Sequence, residues 1–168
     1  VADNLPAGIH VVTLVQRTEP FCGATLIHGF AINKGAALLD PPARHFKIEV
    51  IGDSISCGYG DEATNQTKHF SCETENGYLT YGAIAARELG ASYVCIAWSG
   101  RLMWPTDTMP SIYDRTLATE PASHWKFTGP RPDVIVINLG TNDIRAKDGF
   151  APQPAWTHAY EQFIGHLR

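Results

Sequence analysis

The sequence predicts an α/β domain with a parallel sheet, preceded by strands that belong to a separate β-rich unit. Three observations carry this expectation. Beyond Pro41-Pro42, strand-like and helix-like segments alternate, and one of the strands is an unbroken apolar run, Val134-Ile135-Val136-Ile137-Asn138-Leu139. Before Pro41-Pro42, β-rich runs occur with no helical period of useful length. Parallel neighbours need a crossover connection, usually a helix, so alternation of the two element types is the mark of a parallel sheet.

The elements follow in order. Residues 8–16 and 24–32 read as strands separated by turn signals at Glu19-Pro20 and Cys22-Gly23. Two or three strands cannot bury a core by themselves. Residues 1–44 are therefore expected to be the last strands of an incomplete N-terminal β-sandwich, and residues 45–168 the α/β domain. Residues 46–51 read as a strand ending at Gly52-Asp53-Ser54. Residues 78–89 read as a helix, with Leu79, Ala83 and Ala86 on its apolar stripe and Gly90 as its stop signal. A second strand covers 92–98, with Trp98 expected to pack, and a short helix with Pro110 in its first turn covers 110–117. The run 134–139 has the character of a strand buried on both faces. Trp156, Tyr160, Phe163, Ile164 and Leu167 then recur at helical spacing, as a core-facing stripe does.

Composition narrows the function classes. The chain has 168 residues, 44% of them hydrophobic and 18% charged, the balance of a globular domain. A net charge of −4 gives no basic face for nucleic acid or an anionic membrane. No stretch approaches the roughly 20 consecutive apolar residues of a membrane span. The four cysteines have no metal-ligand spacing. Cys95 lies in an apolar strand and is expected to be a buried thiol. Cys57 and Cys72 lie in loop-like sequence and could be bridged, which would fit an oxidising compartment.

The chemistry gathers at strand ends. In an open α/β sheet, ligands bind beyond the carboxyl ends of the strands. The three strands end at Gly52-Asp53-Ser54, Trp98-Ser99-Gly100 and Gly140-Thr141-Asn142-Asp143, so three polar clusters arrive at one rim. A nucleophilic serine must project from a tight turn, and Ser54 after a glycine and before a short helical stretch meets that need. Acyl transfer also needs donors aimed at the developing oxyanion. The Gly100 N–H and the Asn142 amide are candidates. Singly, each cluster is also what a helix cap or a plain turn looks like; their order and placement together, each just after a strand, favour an acyl-transfer site over these plainer readings.

These blocks resemble the Ser, Gly and Asn blocks of the SGNH (GDSL-like) hydrolases. The longer stretches from Ile51 to Gly60, Glu75 to Tyr81 and Pro132 to Asp143 are similar to carbohydrate esterase family 2. The resemblance implies an SGNH-type three-layer α/β/α fold preceded by the end of a jelly-roll β-sandwich. It implies a carbohydrate O-acetyl esterase that removes acetyl groups from plant polysaccharides such as xylan through a serine acyl-enzyme. Ser54 would be the nucleophile, Gly100 and Asn142 the oxyanion donors, with no metal or other cofactor. The partner would be an acetylated polysaccharide or oligosaccharide, with no nucleic acid or membrane, and the protein a secreted or periplasmic monomer. Trp104 is a candidate sugar-stacking platform, with a core or interface role as the plainer alternative.

One element of the family pattern is not found. The general-base histidine, usually in an Asp-x-x-His setting near the C-terminus, has no match. His158 and His166 follow Ala155 and Phe163 at that spacing, on the last helix. His10, His28 and His45 fall in the β segment or linker, which leaves His69 and His124 as loop candidates. The base is therefore expected beyond Arg168. Two alternatives stand beside this reading: an SGNH lipase or esterase acting on other acyl esters, and a carbohydrate-binding module without turnover.

Overall fold

The computed structural model describes residues 5–144 and 152–167. Three parallel strands form the sheet: β1 Lys47–Gly52, β2 Ser92–Ala97 and β3 Val134–Asn138, in the order β2-β1-β3. The register sets Ile51 opposite both Ile96 and Ile137, and Gly52 opposite both Ala97 and Asn138. The first strand in the chain is thus the central one, and the connections leave it toward opposite edges.

Successive residues of β1 point to opposite faces. Ile48 and Val50 meet Ala86 and Ala91, with Phe46 and Tyr93 packed alongside. Ala86 belongs to α2, Tyr81–Glu88, which covers that face. Ile51 points the other way, into a cluster with Met103, Met109, Ile112, Tyr113 and Phe163. Ile112 and Tyr113 come from α3, Pro110–Tyr113, and Phe163 from α5, Gln153–Leu167. Trp98, Ile135, Ile137, Trp156, Tyr160 and Leu167 are partly buried against this second cluster. The result is a helix–sheet–helix sandwich. Ile51 is fully buried, and full burial of such a side chain contributes about 1.5–3 kcal/mol.

The helix expected from residue 78 begins at Tyr81 instead, for a local reason. The Asn76 side chain accepts the Tyr78 N–H at 3.1 Å and its carbonyl accepts the Leu79 N–H at 3.0 Å, so a turn claims residues 76–79. Leu79 is exposed as a consequence. The helix expected over 110–117 ends at Tyr113. Beyond it, the Leu117 N–H is taken by the Ser123 hydroxyl at 3.0 Å and does not continue the helical ladder.

Among the described residues, the apolar run in β3 is covered on one face only. Val134 and Val136 are 41% and 38% exposed, because α2 packs over β1 and β2 and does not reach β3. Residues 8–16 and 24–32, expected as strands, form no ladder with any described residue. Their apolar side chains stand in solvent, Ile9 at 82% and Leu26 at 77% exposure, because these runs have no sheet to join among the described residues. Cys95 is a free, exposed residue on a cleft of about 580 Å³, not a buried thiol. Cys72 bridges Cys22, with Cα atoms 5.7 Å apart, and not Cys57, which is free and buried under α1, Ser54–Cys57.

Candidate active site

At the end of β1 the chain turns sharply into α1. Gly52 permits this through its lack of a side chain: a Cβ there would lie 2.0 Å from the Ser56 Oγ and 3.3 Å from the Asn138 carbonyl. Asp53 caps the helix, its Oδ1 accepting the Ile55 N–H at 3.1 Å and its carbonyl accepting the Ser56 and Cys57 N–H groups. The side chain is fully buried. That burial pushes the carboxyl pKa up; the Ile55 N–H works against it and the nearby Asp143 adds to it. Ser54 is the first helical residue, partly exposed, with an Oγ that makes no hydrogen bond to a described residue.

The second cluster is a tight turn beyond β2. The Trp98 N–H reaches the Gly52 carbonyl at 3.3 Å and the Arg101 N–H closes onto the Trp98 carbonyl at 3.3 Å. Gly100 has φ +78°, the value a type II turn requires at its third residue, with open space where a Cβ would sit. Here glycine is demanded by the backbone angle and not by crowding. Gly100 is exposed at the rim.

The third cluster opens α4, Thr141–Ile144. Gly140 has φ +122°, and a Cβ on it would meet the Trp156 ring at 3.2 Å. Asn142 reaches across the rim: its Nδ2 donates to the Asp53 Oδ2 at 3.3 Å and to the Arg101 carbonyl at 3.0 Å. One amide thus joins the cap beside the serine to the turn that carries Gly100. Asp143 is 2% exposed and accepts the Met103 N–H at 3.0 Å and the Trp104 N–H at 2.9 Å. It fixes the stretch that follows the Gly100 turn. The structure therefore brings Ser54, Gly100 and Asn142 to one rim, at the switch point where β1 lies between β2 and β3.

Trp104 is partly exposed and lines a separate cleft of about 350 Å³ with Met103, Pro105, Asp114, Phe163 and His166. None of the seven histidines hydrogen-bonds to Ser54. His166 pairs instead with Asp114 at 2.8 Å, and His10 bonds the Pro6 carbonyl at 2.7 Å.

Sequence reasoning missed a polar cluster behind the rim. Glu19, read as part of a turn signal, is 5% exposed, and its carboxylate accepts both the Ser99 N–H, at 2.6 Å, and the Ser99 hydroxyl. Glu75, fully buried, accepts the Glu19 N–H at 3.3 Å and leaves its Oε1 without a partner. Burial, followed by the charge of Glu19, pushes the Glu75 carboxyl up to about 7. Cys57 completes the group, with ligand atoms within 4.8 Å of one another. Among the described residues this trio has metal-binding separations, but both Glu19 oxygens are engaged by Ser99. The Cys57 thiol is pushed far up by burial and then by Glu19, which holds it protonated. The sequence offered one usable signal, an acidic residue at each end of the span closed by the Cys22–Cys72 disulfide.

Residues 50–168 match the GDSL-like lipase/acylhydrolase family, and residues 1–42 match the carbohydrate esterase 2 N-terminal family. The chain belongs to the GDSL-like lipase/acylhydrolase family. Its sheet and flanking helices are an SGNH-like α/β fold. The cellulase/esterase CelE of Acetivibrio thermocellus is 39% identical over the whole chain, which covers 21% of that protein. An acetylxylan esterase/glucomannan deacetylase of Cellvibrio japonicus is 32% identical over 84% of the chain and 41% of its own length. The structure of a family two carbohydrate esterase from Clostridium thermocellum in complex with cellohexaose superposes with a TM-score of 0.75 at 39% identity. That match covers 83% of this chain and 44% of the other, so the chain spans less than half the length of these relatives.

Proposed function

We propose that this chain carries the nucleophile and oxyanion hole of a carbohydrate O-acetyl esterase. The observation behind this reading is an amide, Asn142, that spans from Asp53, the residue before Ser54, to the Gly100 turn. The relatives named as acetylxylan esterases and as a cellulase/esterase support the acetylated polysaccharide as substrate. In this mechanism the Ser54 Oγ attacks the acetyl carbonyl carbon while its proton passes to a general base. The Gly100 N–H and an Asn142 Nδ2 hydrogen receive the oxyanion, and the hydrogen now on Asp53 at 3.3 Å is the more weakly held. Collapse of the tetrahedral intermediate returns the proton to the departing sugar oxygen and leaves acetyl-Ser54, which water hydrolyses by the reverse sequence.

The reading requires a general base for Ser54, and among the described residues no histidine hydrogen-bonds its Oγ. It also takes residues 1–44 as part of an N-terminal β-sandwich, in line with the family match over 1–42. The Cys22–Cys72 bridge favours a secreted or periplasmic protein. Trp104 as a sugar platform and a monomeric state belong to the same proposal.

Acetate release from acetylated xylan, by an enzyme containing this chain, is the test. Ser54→Ala should lower kcat by several orders of magnitude. A variant that keeps a tenth of the activity would remove Ser54 from the role. Faster turnover of long-chain acyl esters than of acetylated xylan would move the substrate class to lipids.

A further inference from the structure

We propose that Glu19 is a positioning residue of the oxyanion hole, anchoring from the N-terminal segment the turn that presents the Gly100 N–H. The proposal rests on the esterase reading above. Its ground is how that turn is held. Beyond the Trp98 N–H the sheet offers the turn no further ladder bond, and β2 is an edge strand of the described sheet. Two side chains grip it from opposite ends. Asn142 holds the Arg101 carbonyl, and Glu19 holds the Ser99 N–H and hydroxyl. The glycine angle sets the direction of the Gly100 N–H, and the two anchors set its place at the rim.

Glu19 suits this task because it is itself fixed. It is 5% exposed and caps a single 3-10 turn, Pro20–Cys22, whose Cys22 is bonded to Cys72. Glu75 accepts its N–H, and the Gly77 N–H reaches the Arg17 carbonyl at 2.7 Å. The Arg17 guanidinium also donates to the Glu73 and Glu75 carbonyls, at 3.1 and 3.0 Å. A hydrogen bond from a neutral donor to an ionised carboxylate is about twice as strong as one between neutral groups. The grip on Ser99 uses both carboxylate oxygens, one for the N–H and one for the hydroxyl. An oxyanion donor displaced by a fraction of an ångström loses its effect on the transition state while ground-state binding hardly changes.

The experiment uses an active enzyme containing this chain, with Glu19→Ala, Glu19→Gln and Ser99→Ala. Removing an oxyanion donor outright costs roughly 10²–10³ in rate, so misplacing one in Glu19→Ala should cost about 10-fold in kcat, with KM unchanged. The rate at which an organophosphonate labels Ser54 should fall in parallel, because its adduct occupies the same hole. Glu19→Gln keeps one acceptor for the Ser99 N–H and should recover most of the loss; Ser99→Ala keeps the N–H bond and should lose least. If Glu19→Ala does not fold, Glu19→Gln carries the test: the acceptor it loses toward the Ser99 hydroxyl should still lower kcat about 2-fold at unchanged KM, with phosphonate labelling of Ser54 slowed by the same factor. Wild-type kcat and labelling in every variant that folds, or a rise in KM with phosphonate labelling unchanged, would overturn the proposal alone. A wild-type enzyme that neither releases acetate nor labels at Ser54 would end the esterase reading and this proposal with it.

Discussion

Asn142 has two amide hydrogens, and both are engaged, one by Asp53 and one by the Arg101 carbonyl. The residue therefore serves the structure before it serves any substrate. Truncating it removes an oxyanion donor and also leaves the buried Asp53 Oδ2 without this partner. We expect Asn142→Ala to lower kcat by about 10²-fold with a smaller change in KM, which initial-rate kinetics on an acetyl ester would measure. A second prediction concerns Glu75. Its carboxyl is raised from 4.5 to about 7, so the folded chain holds a proton there that the unfolded chain releases above pH 4.5. Stability from this group is therefore complete below 4.5, is lost as pH rises toward about 7, and changes no further beyond. The groups facing it are the Glu19 carboxylate and the Cys57 thiol, while the Arg17 guanidinium bonds its main-chain carbonyl and the Glu62 carboxylate. Replacement by glutamine keeps the shape and removes the titration. Denaturant midpoints of Glu75→Gln at pH 5 and pH 8 should differ less than those of the wild type.

At the scale of elements, the site depends on helices seated against strand ends. Trp156, on α5, lies over Gly140 and so presses on the turn that begins α4. Gly140→Ala would add a methyl 3.2 Å from that ring at a φ of +122°. The expected cost is roughly 1–3 kcal/mol in unfolding free energy, with a fall in kcat as Asn142 shifts; chemical denaturation and kinetics on the same variant would show both. The strands were legible because β3 is a nearly continuous apolar run, β1 is rich in Ile and Val, and both are followed by glycine-led polar clusters. The rim was legible because parallel strands deliver all their carboxyl ends to one side. Leu79 was misjudged because an Asn76 side chain competed for the backbone, a contest that hydrophobic period does not register. Glu19 was missed for a different reason. Its partner lies 80 residues away in sequence, and no local pattern announces a contact of that range.

For the molecule as a whole, the described part of the segment before β1 is held to the α/β domain by the Cys22–Cys72 disulfide and by hydrogen bonds at Arg17 and Glu19. The bridge closes a span of 50 residues. By loop-closure entropy, such a crosslink contributes about 2–4 kcal/mol. The variant Cys22→Ser/Cys72→Ser should lower the thermal midpoint accordingly. Because Glu19 sits three residues from Cys22, amide exchange at Ser99 should also quicken, readable by mass spectrometry. The order of the strands carries a consequence of its own. Since β1 lies in the middle and comes first from the ribosome, it must wait for both neighbours, pairing Lys47 with Ser92 and Ile48 with Val134. The first partner lies about half as far along the chain as the second, so loop closure favours β1 with β2 as the earlier pair. A newly made chain would therefore expose one bare side of its central strand until translation delivers β3, and only then could Asn142 reach Asp53.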